Sequence, residues 1–281
     1  MGKSTLLNAI IGEKLSIITS KPQTTRHRIL AIYNDDEHQI VFSDTPGIIY
    51  EPHYKLQKAM NTFVNTSFED ADGLLFVTDV FDDMKYNEQF LERLKKAGVP
   101  KFLIINKIDL GDQQKVNNLI RRWHEITDFY DTIAISAKLG FNTDTLIEKI
   151  KSILPVSPPY YPKDQFTDKT ERFFIEEIIR EKILLLYKQE VPYSVEVAVQ
   201  EWKEMIKNGK PFVKISAYIY VARKSQKQIL IGKNGEKIKR LGIEARKDIE
   251  AFLGKNVYLE LYVKVLDNWR DDDTKLKKLG Y

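Results

Sequence analysis

The first half of the chain alternates between two hydrophobic patterns. Short, continuously apolar runs predict strands buried on both faces, and longer stretches with apolar positions at helical spacing predict amphipathic helices. The predicted strands lie at residues 39–42, 73–78, 101–105 and 132–135. The predicted helices lie near residues 54–69, 86–97, 113–127 and 142–153. Strands that alternate with helices indicate an α/β domain, in which a parallel sheet carries helices on both faces.

Two further segments complete this half. Residues 28–33 read as an extra strand, which the polar turn Asn34-Asp-Asp-Glu37 joins to the strand at 39–42 as a hairpin. Residues 154–163 contain four of the ten prolines. Because proline neither continues a helix nor donates to a sheet, this second segment predicts an extended linker.

After the linker the order of predicted elements changes. A helix at residues 171–188 is followed by two strands, two helices separated by a glycine-bounded turn, and a final strand. These elements lie at residues 195–199, 213–220, 225–232, 235–253 and 257–265. The order α-β-β-α-α-β predicts a second, α+β domain, and a length of 281 residues is consistent with two domains.

Composition narrows the class of protein. The chain is 43% hydrophobic and 30% charged, which excludes a disordered chain. No apolar run approaches the roughly 18 residues that span a bilayer. Cysteine is absent, so disulfides, a thiolate nucleophile and cysteine-ligated metal centres are excluded.

The net charge of +4 is unevenly distributed. Residues 1–155 carry a net charge of −2 and residues 156–281 a net charge of +6. The window from Arg223 to Lys247 alone holds nine basic and two acidic side chains. Such a window favours a phosphate-rich partner, although charge alone fits a solvated, lysine-rich helix face equally well.

The chain opens on a motif with phosphate-binding chemistry. Gly2, Lys3, Ser4 and Thr5 precede an apolar helical stretch and match the last half of a phosphate-binding loop. Backbone N–H groups and the helix dipole favour anions at such a helix start. Lys3 would reach the β- and γ-phosphates, and Ser4 would ligate magnesium. Four residues alone are also compatible with an ordinary helix start.

Three more polar motifs each follow a predicted strand. They are Asp44-Thr-Pro-Gly47, Asn106-Lys-Ile-Asp109 and Ser136-Ala-Lys138. Nucleotides bind at the carboxyl ends of parallel strands. The Asp109 carboxylate can accept two N–H bonds from guanine, and adenine lacks this donor pair. Each motif alone fits a turn, but all four in this order predict a guanine nucleotide site.

Together with Thr24 and Thr25, these motifs resemble the five nucleotide motifs of translation-factor-class GTPases. The segment Lys21-Pro-Gln-Thr-Thr-Arg-His-Arg28 closely resembles switch I of the Era family of ribosome-assembly GTPases. Ile231-Gly-Lys-Asn-Gly235 resembles the GxxG loop of a KH domain, and the second domain resembles the type II KH fold. Era proteins join these two modules, and the resemblance covers essentially the whole chain.

The resemblance implies a P-loop GTPase fold, a doubly wound and mostly parallel sheet, followed by an α+β type II KH domain. The GTPase domain would span residues 1–154, the linker 155–168 and the KH domain 169–281. Catalysis would depend on Lys3, Thr25 and Gly47, whose amide would sense the γ-phosphate. Ser4, Thr25 and, through water, Asp44 would bind Mg²⁺, with Thr24 as the alternative to Thr25.

For the nucleotide, the resemblance implies GTP or GDP with the Ala137 amide facing guanine O6. The binding residues would be Gly2, Lys3, Ser4, Thr5, Asp44, Gly47, Asn106, Lys107, Asp109, Ser136, Ala137 and Lys138. A KH loop clamps about four nucleotides of RNA. The RNA-binding residues would be Lys227, Ile231, Gly232, Lys233, Asn234, Gly235, Lys237, Lys239 and Arg240. Residues 229–231 would either form an apolar platform under the bases or pack in the core.

The sequence departs from the usual GTPase motifs at two positions. A complete phosphate loop follows a strand and has a glycine four residues before the Gly2 position, whereas Met1 directly precedes Gly2. We expect a shortened sequence, whose absent strand is central in this fold and whose loss exposes two strand edges and apolar surface. Ile48 occupies the position of the glutamine that orients water in Ras-like GTPases, as in Era relatives. Hydrolysis should therefore be slow, with water positioned by backbone, potassium or a partner.

These features predict a GTP-hydrolysing switch that binds the 3′ end of small-subunit ribosomal RNA and assists assembly of that subunit. Segments near 16–28 and 44–56 would reorder around the γ-phosphate. The resemblance further implies a cytoplasmic monomer with weak peripheral association to the inner membrane. One alternative is an RNA-binding module with a degenerate nucleotide domain, and another is a switch for a protein or membrane partner. Asp271, Asp272 and Asp273 are interpreted as a helix cap rather than a metal site.

Overall fold

The computed structural model describes residues 1–19, 21, 23–207 and 209–281, and for Lys207 and Lys210 the backbone only. The chain divides into two compact units. The first comprises Met1–Ile18, Thr25–Tyr50 and Asn61–Asp168, and the second comprises Thr19–Thr24, Glu51–Met60 and Lys169–Tyr281. Ser20 and Pro22, within the predicted switch I segment, lie outside the described residues.

The first unit has the alternating α/β order that its hydrophobic pattern predicts. Its strands are β1 (Ile29–Asn34), β2 (Gln39–Asp44), β3 (Leu74–Asp79), β4 (Lys101–Asn106) and β5 (Asp131–Ala134). Its helices are α1 (Lys3–Ile11), α2 (Lys55–Glu69, whose first six residues belong to the second unit), α3 (Glu88–Lys96), α4 (Gln113–Ile126) and α5 (Thr143–Lys151).

Two sheets form in this unit. Strands β1 and β2 are an antiparallel hairpin, and β3, β4 and β5 are parallel in that order. The central strand β4 is buried on both faces, with Phe102, Leu103, Ile104 and Ile105 fully inaccessible to solvent. The predicted doubly wound, mostly parallel fold is confirmed.

A cavity of about 1630 Å³ lies in the first unit, lined by residues of both β2 and β3. In the described part of the chain, β2 pairs only with β1, and β3 pairs only with β4. The two facing edges therefore present unpaired backbone groups and apolar side chains such as Phe42 and Val77.

The predicted linker at residues 155–168, which contains the proline-rich stretch, runs along β1. Thr167 forms an antiparallel bridge with Ala31, and the Ile32 N–H donates to Phe166 O at 2.9 Å. The Gln39 side chain accepts the backbone N–H groups of Tyr160 at 2.8 Å and Tyr161 at 3.0 Å. The segment thus covers the outer edge of β1, which would otherwise have unpaired backbone groups.

The second unit has the predicted α-β-β-α-α-β order, followed by a short terminal helix. Its elements are α6 (Glu171–Leu186), β6 (Val195–Lys207), β7 (Lys210–Val221), α7 (Lys224–Ile231), α8 (Glu236–Leu253), β8 (Asn256–Val265) and α9 (Asp273–Lys278). Strand β7 is central, antiparallel to β6 and parallel to β8. Ile179, Ile215 and Ile249 meet in the core between helices and sheet.

Strands β6 and β7 extend well beyond the predicted segments. The added residues of β6 pair with residues 210–216 of β7, and a β-bulge between Val199 and Glu201 shifts the register. Beyond the bulge the side chains of β6 are mostly polar or exposed, so no apolar alternation marks its extension. In the described residues, no helix is long and apolar enough to cross a membrane.

Candidate nucleotide site and RNA interface

The helix that begins the phosphate site starts directly after Gly2. Gly2 adopts a left-handed conformation, with φ of 83°, and caps α1. A Cβ at this position would stand 2.7 Å from Asn106 Nδ2, which is closer than real contacts allow. Glycine is therefore required both by the backbone angle and by the close approach of Asn106. This geometry places Lys3, Ser4 and Thr5 in the first turn of α1.

Three oxygen-bearing side chains converge beside this turn. The Ser4 hydroxyl donates to Asp44 Oδ2 at 2.9 Å, and Ser4 Oγ lies 3.2 Å from Thr25 Oγ1. Burial raises the pKa of Asp44, and the nearby Lys3 ammonium opposes that rise. A buried carboxylate with two hydroxyls is an all-oxygen set, which Mg²⁺ prefers, so the residues present fit the ion.

Thr24 is placed differently from Thr25. Its hydroxyl donates to Lys21 O at 2.7 Å and lies 2.9 Å from Thr19 Oγ1, so it does not join the cluster around Ser4. Among the described residues, no group of three or more His, Cys, Asp and Glu side chains suits a metal ion. The predicted magnesium site has one carboxylate and two hydroxyls, so it is not a group of this kind.

Lys3 and Gly47 lie together at the phosphate end of the site. A Cβ built on Gly47 would stand 4.0 Å from Lys3 Nζ. Burial lowers the pKa of Lys3, and the Asp44 carboxylate acts in the opposite direction. A partly desolvated ammonium beside a backbone amide suits an anion that carries several charges.

Asn106 connects three motifs from a fully buried position, with 1% of its surface exposed. Its Oδ1 accepts the N–H groups of Lys107 at 2.7 Å and Ala137 at 3.0 Å, and its Nδ2 donates to Met1 O at 3.0 Å. The Ala137 amide, predicted to face guanine O6, is bonded to Asn106 here. Its contact with O6 stays a prediction.

The base end of the site is formed by two neighbouring loops. The Ser136 hydroxyl donates to Asp109 Oδ1 at 2.6 Å, which orients an otherwise exposed carboxylate. Lys107 has a left-handed backbone, with φ of 60°. Lys138 is exposed beside Ser136, on the loop that follows β5. The structure therefore brings the NKxD and SAK motifs together.

Asp79 belongs to this region, and the sequence analysis did not identify it. Its Oδ2 lies 2.6 Å from Lys107 Nζ and 2.9 Å from the backbone amino group of Met1. Burial would raise the pKa of Asp79, but its hydrogen bonds, that from the Lys107 ammonium foremost, lower it. Asp79 is the last residue of β3, and this position at a strand end was the available signal.

The glycine-bounded loop of the second unit lies between α7 and α8. Gly232 has φ of 72° and ψ of 178°, and a Cβ there would stand 2.7 Å from Lys237 Cγ. Gly235 has φ of 77° but more room, with Ile238 Cγ2 at 3.9 Å. Both angles lie where side chains are rarely accommodated, so the loop can present bare backbone to a ligand.

Basic side chains surround this loop. Lys233, Lys237, Lys239 and Arg240 are exposed together with Asn234, and Lys227 is half-buried on α7. Of the predicted apolar platform, Leu230 is fully buried in the core, Ile231 packs against the core, and Ile229 is 46% exposed. Any platform under bases would therefore consist mainly of Ile229.

The fold and the two sites define a class: a P-loop nucleotide-binding protein with a KH domain. The comparisons agree. A family model described as "50S ribosome-binding GTPase" matches residues 1–107, and a "KH domain" model matches residues 190–270. The GTPase Era of Clostridium kluyveri is 45% identical over 282 aligned residues, covering all of this chain and 95% of that protein.

Two solved structures are equally similar in fold. A variant of Aquifex aeolicus Era bound to GDP·AlF4⁻ has a TM-score of 0.93 at 38% identity, covering all of this chain and 95% of that one. Era in complex with MgGDPNP and nucleotides 1506–1542 of 16S ribosomal RNA has a TM-score of 0.93 at 38% identity, with 100% and 94% covered. The chain belongs to the Era family of GTPases, and it is a GTP hydrolase.

Proposed function

We propose that this GTPase is a nucleotide-controlled switch that binds small-subunit ribosomal RNA through its KH domain and assists assembly of that subunit. The observation that carries the RNA assignment is the Gly232–Gly235 loop, which offers bare backbone within a ring of exposed basic side chains. The Era complex with 16S ribosomal RNA supports the choice of RNA. Cytoplasmic location, a monomeric state and weak peripheral membrane association stay predictions.

Phosphoryl transfer would depend on positioning and on charge stabilisation. Lys3 would bind the β- and γ-phosphates, and the Gly47 amide beside it would contact the γ-phosphate. Mg²⁺, when bound at Ser4, Thr25 and Asp44, neutralises charge on the phosphates. These residues cover the anionic part of the substrate.

The residue after Gly47 has no side chain that can orient the attacking water. Ile48, where a glutamine would serve, packs against the apolar core around Trp123. The backbone after Gly47, potassium or a bound partner would therefore have to orient the water. Slow intrinsic hydrolysis follows from this arrangement.

The division into units suggests how nucleotide could control RNA binding. Thr25 and Gly47, which would contact magnesium and the γ-phosphate, belong to the first unit, whereas the adjacent segments 19–24 and 51–60 pack within the second. Lys21 Nζ donates to Leu184 O and to Tyr187 O, the latter at 2.6 Å. If Thr25 and Gly47 moved to contact the γ-phosphate, the adjacent segments that pack beside α6 would therefore have to move with them.

A second anchor involves the aspartates near the end of the chain. Asp272 caps α9, as predicted, by accepting the N–H groups of Thr274 and Lys275. Asp271 Oδ1 instead accepts the Lys55 N–H at 3.1 Å, and Asp273 Oδ2 lies 2.5 Å from Lys55 Nζ. Asp271 thus satisfies a free N–H at the start of α2.

The RNA assignment is tested best at Gly235. A left-handed backbone tolerates Asn and Asp better than other side chains, so Gly235→Asn and Gly235→Asp should both fold. Gly235→Asp places a negative charge where the RNA backbone should pass. We expect it to weaken binding of single-stranded RNA much more than the neutral Gly235→Asn does, with GTP hydrolysis unchanged. Equal affinities for the two variants would contradict the assignment.

A further inference from the structure

The outer face of the second unit's sheet carries aromatic and basic side chains that neither the nucleotide site nor the GxxG loop uses. We define the tyrosine face as Tyr218 and Lys214 on β7 with Tyr258, Tyr262 and Lys264 on β8. Tyr258 is 51% exposed and Tyr262 is 47% exposed. Large aromatic side chains at this level of exposure, side by side on a sheet, indicate a contact surface.

The rings are held in place by each other. Tyr262 lies opposite Tyr218 in the β7–β8 register, and their rings meet edge to face, with centroids 6.0 Å apart and planes at 89°. Tyr218 makes a second edge-to-face contact with Tyr220, at 6.1 Å. Lys264 Nζ stands 3.4 Å from the centroid of the Tyr218 ring. Tyr218 and Tyr262 are therefore ordered before any ligand arrives, which reduces the entropic cost of binding.

The charges on this face are few and mostly paired. Lys214 Nζ lies 3.3 Å from Glu260 and 3.7 Å from Glu201, and the Glu260 carboxylate raises the pKa of Lys214. Lys264 is exposed above Tyr218. The surface thus offers ring faces for stacking, with one ammonium beside them, rather than a strongly basic patch.

The composition and the position of this face favour RNA as the occupant. Protein interfaces are enriched in tyrosine but depleted in lysine, whereas single-stranded nucleic acids stack bases on aromatic rings and bring phosphates to lysines. Strand β8 is an edge strand, and both α7 and α8, which flank the GxxG loop, pack against it. A strand of RNA leaving that loop can therefore pass around β8 onto the tyrosine face.

We propose that the tyrosine face is a second RNA-binding surface, on which Tyr258 and Tyr262 stack bases of the same RNA beyond the nucleotides at the GxxG loop. This inference rests on the proposed function. The length of the RNA is consistent with a second surface. A GxxG loop clamps only about four nucleotides, and the RNA in the related Era complex is far longer.

The test compares a short and a long RNA on the full chain in the presence of a non-hydrolysable GTP analogue. The probes are single-stranded RNAs of about 5 nucleotides, enough for the GxxG loop alone, and about 20 nucleotides. Tyr258→Ala and Tyr262→Ala should each lower the affinity for the long RNA about tenfold and leave the affinity for the short RNA unchanged. Tyr262→Phe, which keeps the ring, should restore binding of the long RNA. Tyr160→Ala, at a tyrosine of the linker segment that is 77% exposed, is the control for loss of an exposed aromatic side chain elsewhere on the chain.

Salt dependence adds a readout that folding defects would not reproduce. The tyrosine variants should keep the slope of log affinity against log salt, and Lys264→Ala should reduce it by about 0.7. Unchanged affinity for the long RNA, or equal loss for both RNAs, would overturn the inference while leaving the proposed function intact. Failure of the wild-type chain to bind either RNA would overturn both. A dimer that the tyrosine variants abolish, with RNA affinity intact, would assign the face to self-association instead.

Discussion

The Ser136 hydroxyl donates to Asp109 Oδ1 at 2.6 Å, and this bond joins the two loops that are predicted to form the base end of the nucleotide site. It uses one carboxylate oxygen and leaves the rest of the carboxylate open to solvent. A carboxylate fixed in this way accepts hydrogen bonds and donates none. It is therefore matched to the N1–H and N2–H groups of guanine, which are both donors.

Replacing Asp109 should therefore change the preferred base. Asp109→Asn turns one acceptor into a donor, which suits the second oxygen of xanthine and repels guanine N2–H. We expect GDP affinity to fall on the order of 100-fold or more and XDP affinity to rise, measured by fluorescent nucleotide titration. Asp112→Asn, which keeps the N-cap of α4, should behave as wild type. An Asp109→Asn variant that still prefers GDP would contradict the role assigned to this carboxylate.

Asn106 should matter for stability as well as for binding. Asn106→Ala leaves the buried N–H groups of Lys107 and Ala137 without their acceptor, which costs on the order of 2–4 kcal/mol. Denaturant unfolding of the first unit should show this loss, and GDP binding should weaken with it. Asn118→Ala, on the exposed side of α4, should change stability by less than about 0.5 kcal/mol. Similar stabilities for the two variants would show that Asn106 does not hold the loops together.

Ser4 provides the test of the magnesium site. Ser4→Ala removes one of three predicted oxygen ligands, and nucleotide affinity should then lose most of its dependence on Mg²⁺. The measurement is the ratio of GDP affinity with Mg²⁺ to that with a chelator, expected to drop about 10- to 100-fold relative to wild type. Ser152→Ala, at an exposed serine that follows α5, should preserve the ratio. A wild-type ratio in Ser4→Ala would place the ion elsewhere.

Glu176 makes the stability of the second unit depend on pH. Its Oε1 accepts the Val199 N–H at 2.7 Å at the β-bulge, and burial, aided by Glu196 and Glu177, raises its pKa to about 7 despite that bond and Arg172. An acid whose pKa is higher in the folded than in the unfolded chain destabilises the fold once ionised, so stability falls as pH rises from about 4.5 to about 7 and then stays at the lower level.

Glu176→Gln keeps the acceptor and removes the charge. We expect it to stabilise the second unit at pH 8 by on the order of 1–2 kcal/mol, allowing for partial solvent exposure, and by almost nothing near pH 4.5. Urea unfolding at the two pH values measures the difference. A stabilisation that is the same at both pH values would refute the linkage to ionisation.

Lys21 tests the proposed transmission between nucleotide and RNA. Its ammonium lies at the carboxyl end of α6, where backbone carbonyls lack helical partners. Lys21→Ala should leave GTP hydrolysis unchanged but reduce the difference in RNA affinity between GDP and GTP-analogue states. Lys95→Ala, on exposed α3, is the control. A full nucleotide effect in Lys21→Ala would exclude this contact as the link.

Much of the architecture was predictable because each central strand is continuously apolar. Strand β4 is buried on both faces, and its boundaries follow directly from residues 101–105 and the polar motif after them. The nucleotide motifs were predictable for a related reason: their chemistry requires particular side chains at strand ends. Asp79 also lies at a strand end, but it belongs to none of the sequence motifs. Its ion pair with Lys107, a residue of the neighbouring strand's loop, is visible only in the folded chain.

Features that depend on backbone pairing were not predictable. The contact between Ile32 N–H and Phe166 O involves no side-chain pattern, so the proline-rich segment gave no sign that it covers β1. The extended part of β6 lacks apolar alternation beyond the bulge. The bond between Lys55 N–H and Asp271 joins residues 216 positions apart, and only the folded chain brings them together.

The account's central claim is that guanine nucleotide controls RNA binding, and one measurement addresses it directly. The affinity of the full chain for a 3′-terminal fragment of small-subunit ribosomal RNA is measured at one fixed salt concentration, once with Mg²⁺ and GDP and once with Mg²⁺ and a non-hydrolysable GTP analogue. We predict clearly tighter binding with the analogue. Equal affinities in the two states would contradict the switch and would leave an RNA-binding domain that is indifferent to the nucleotide beside it.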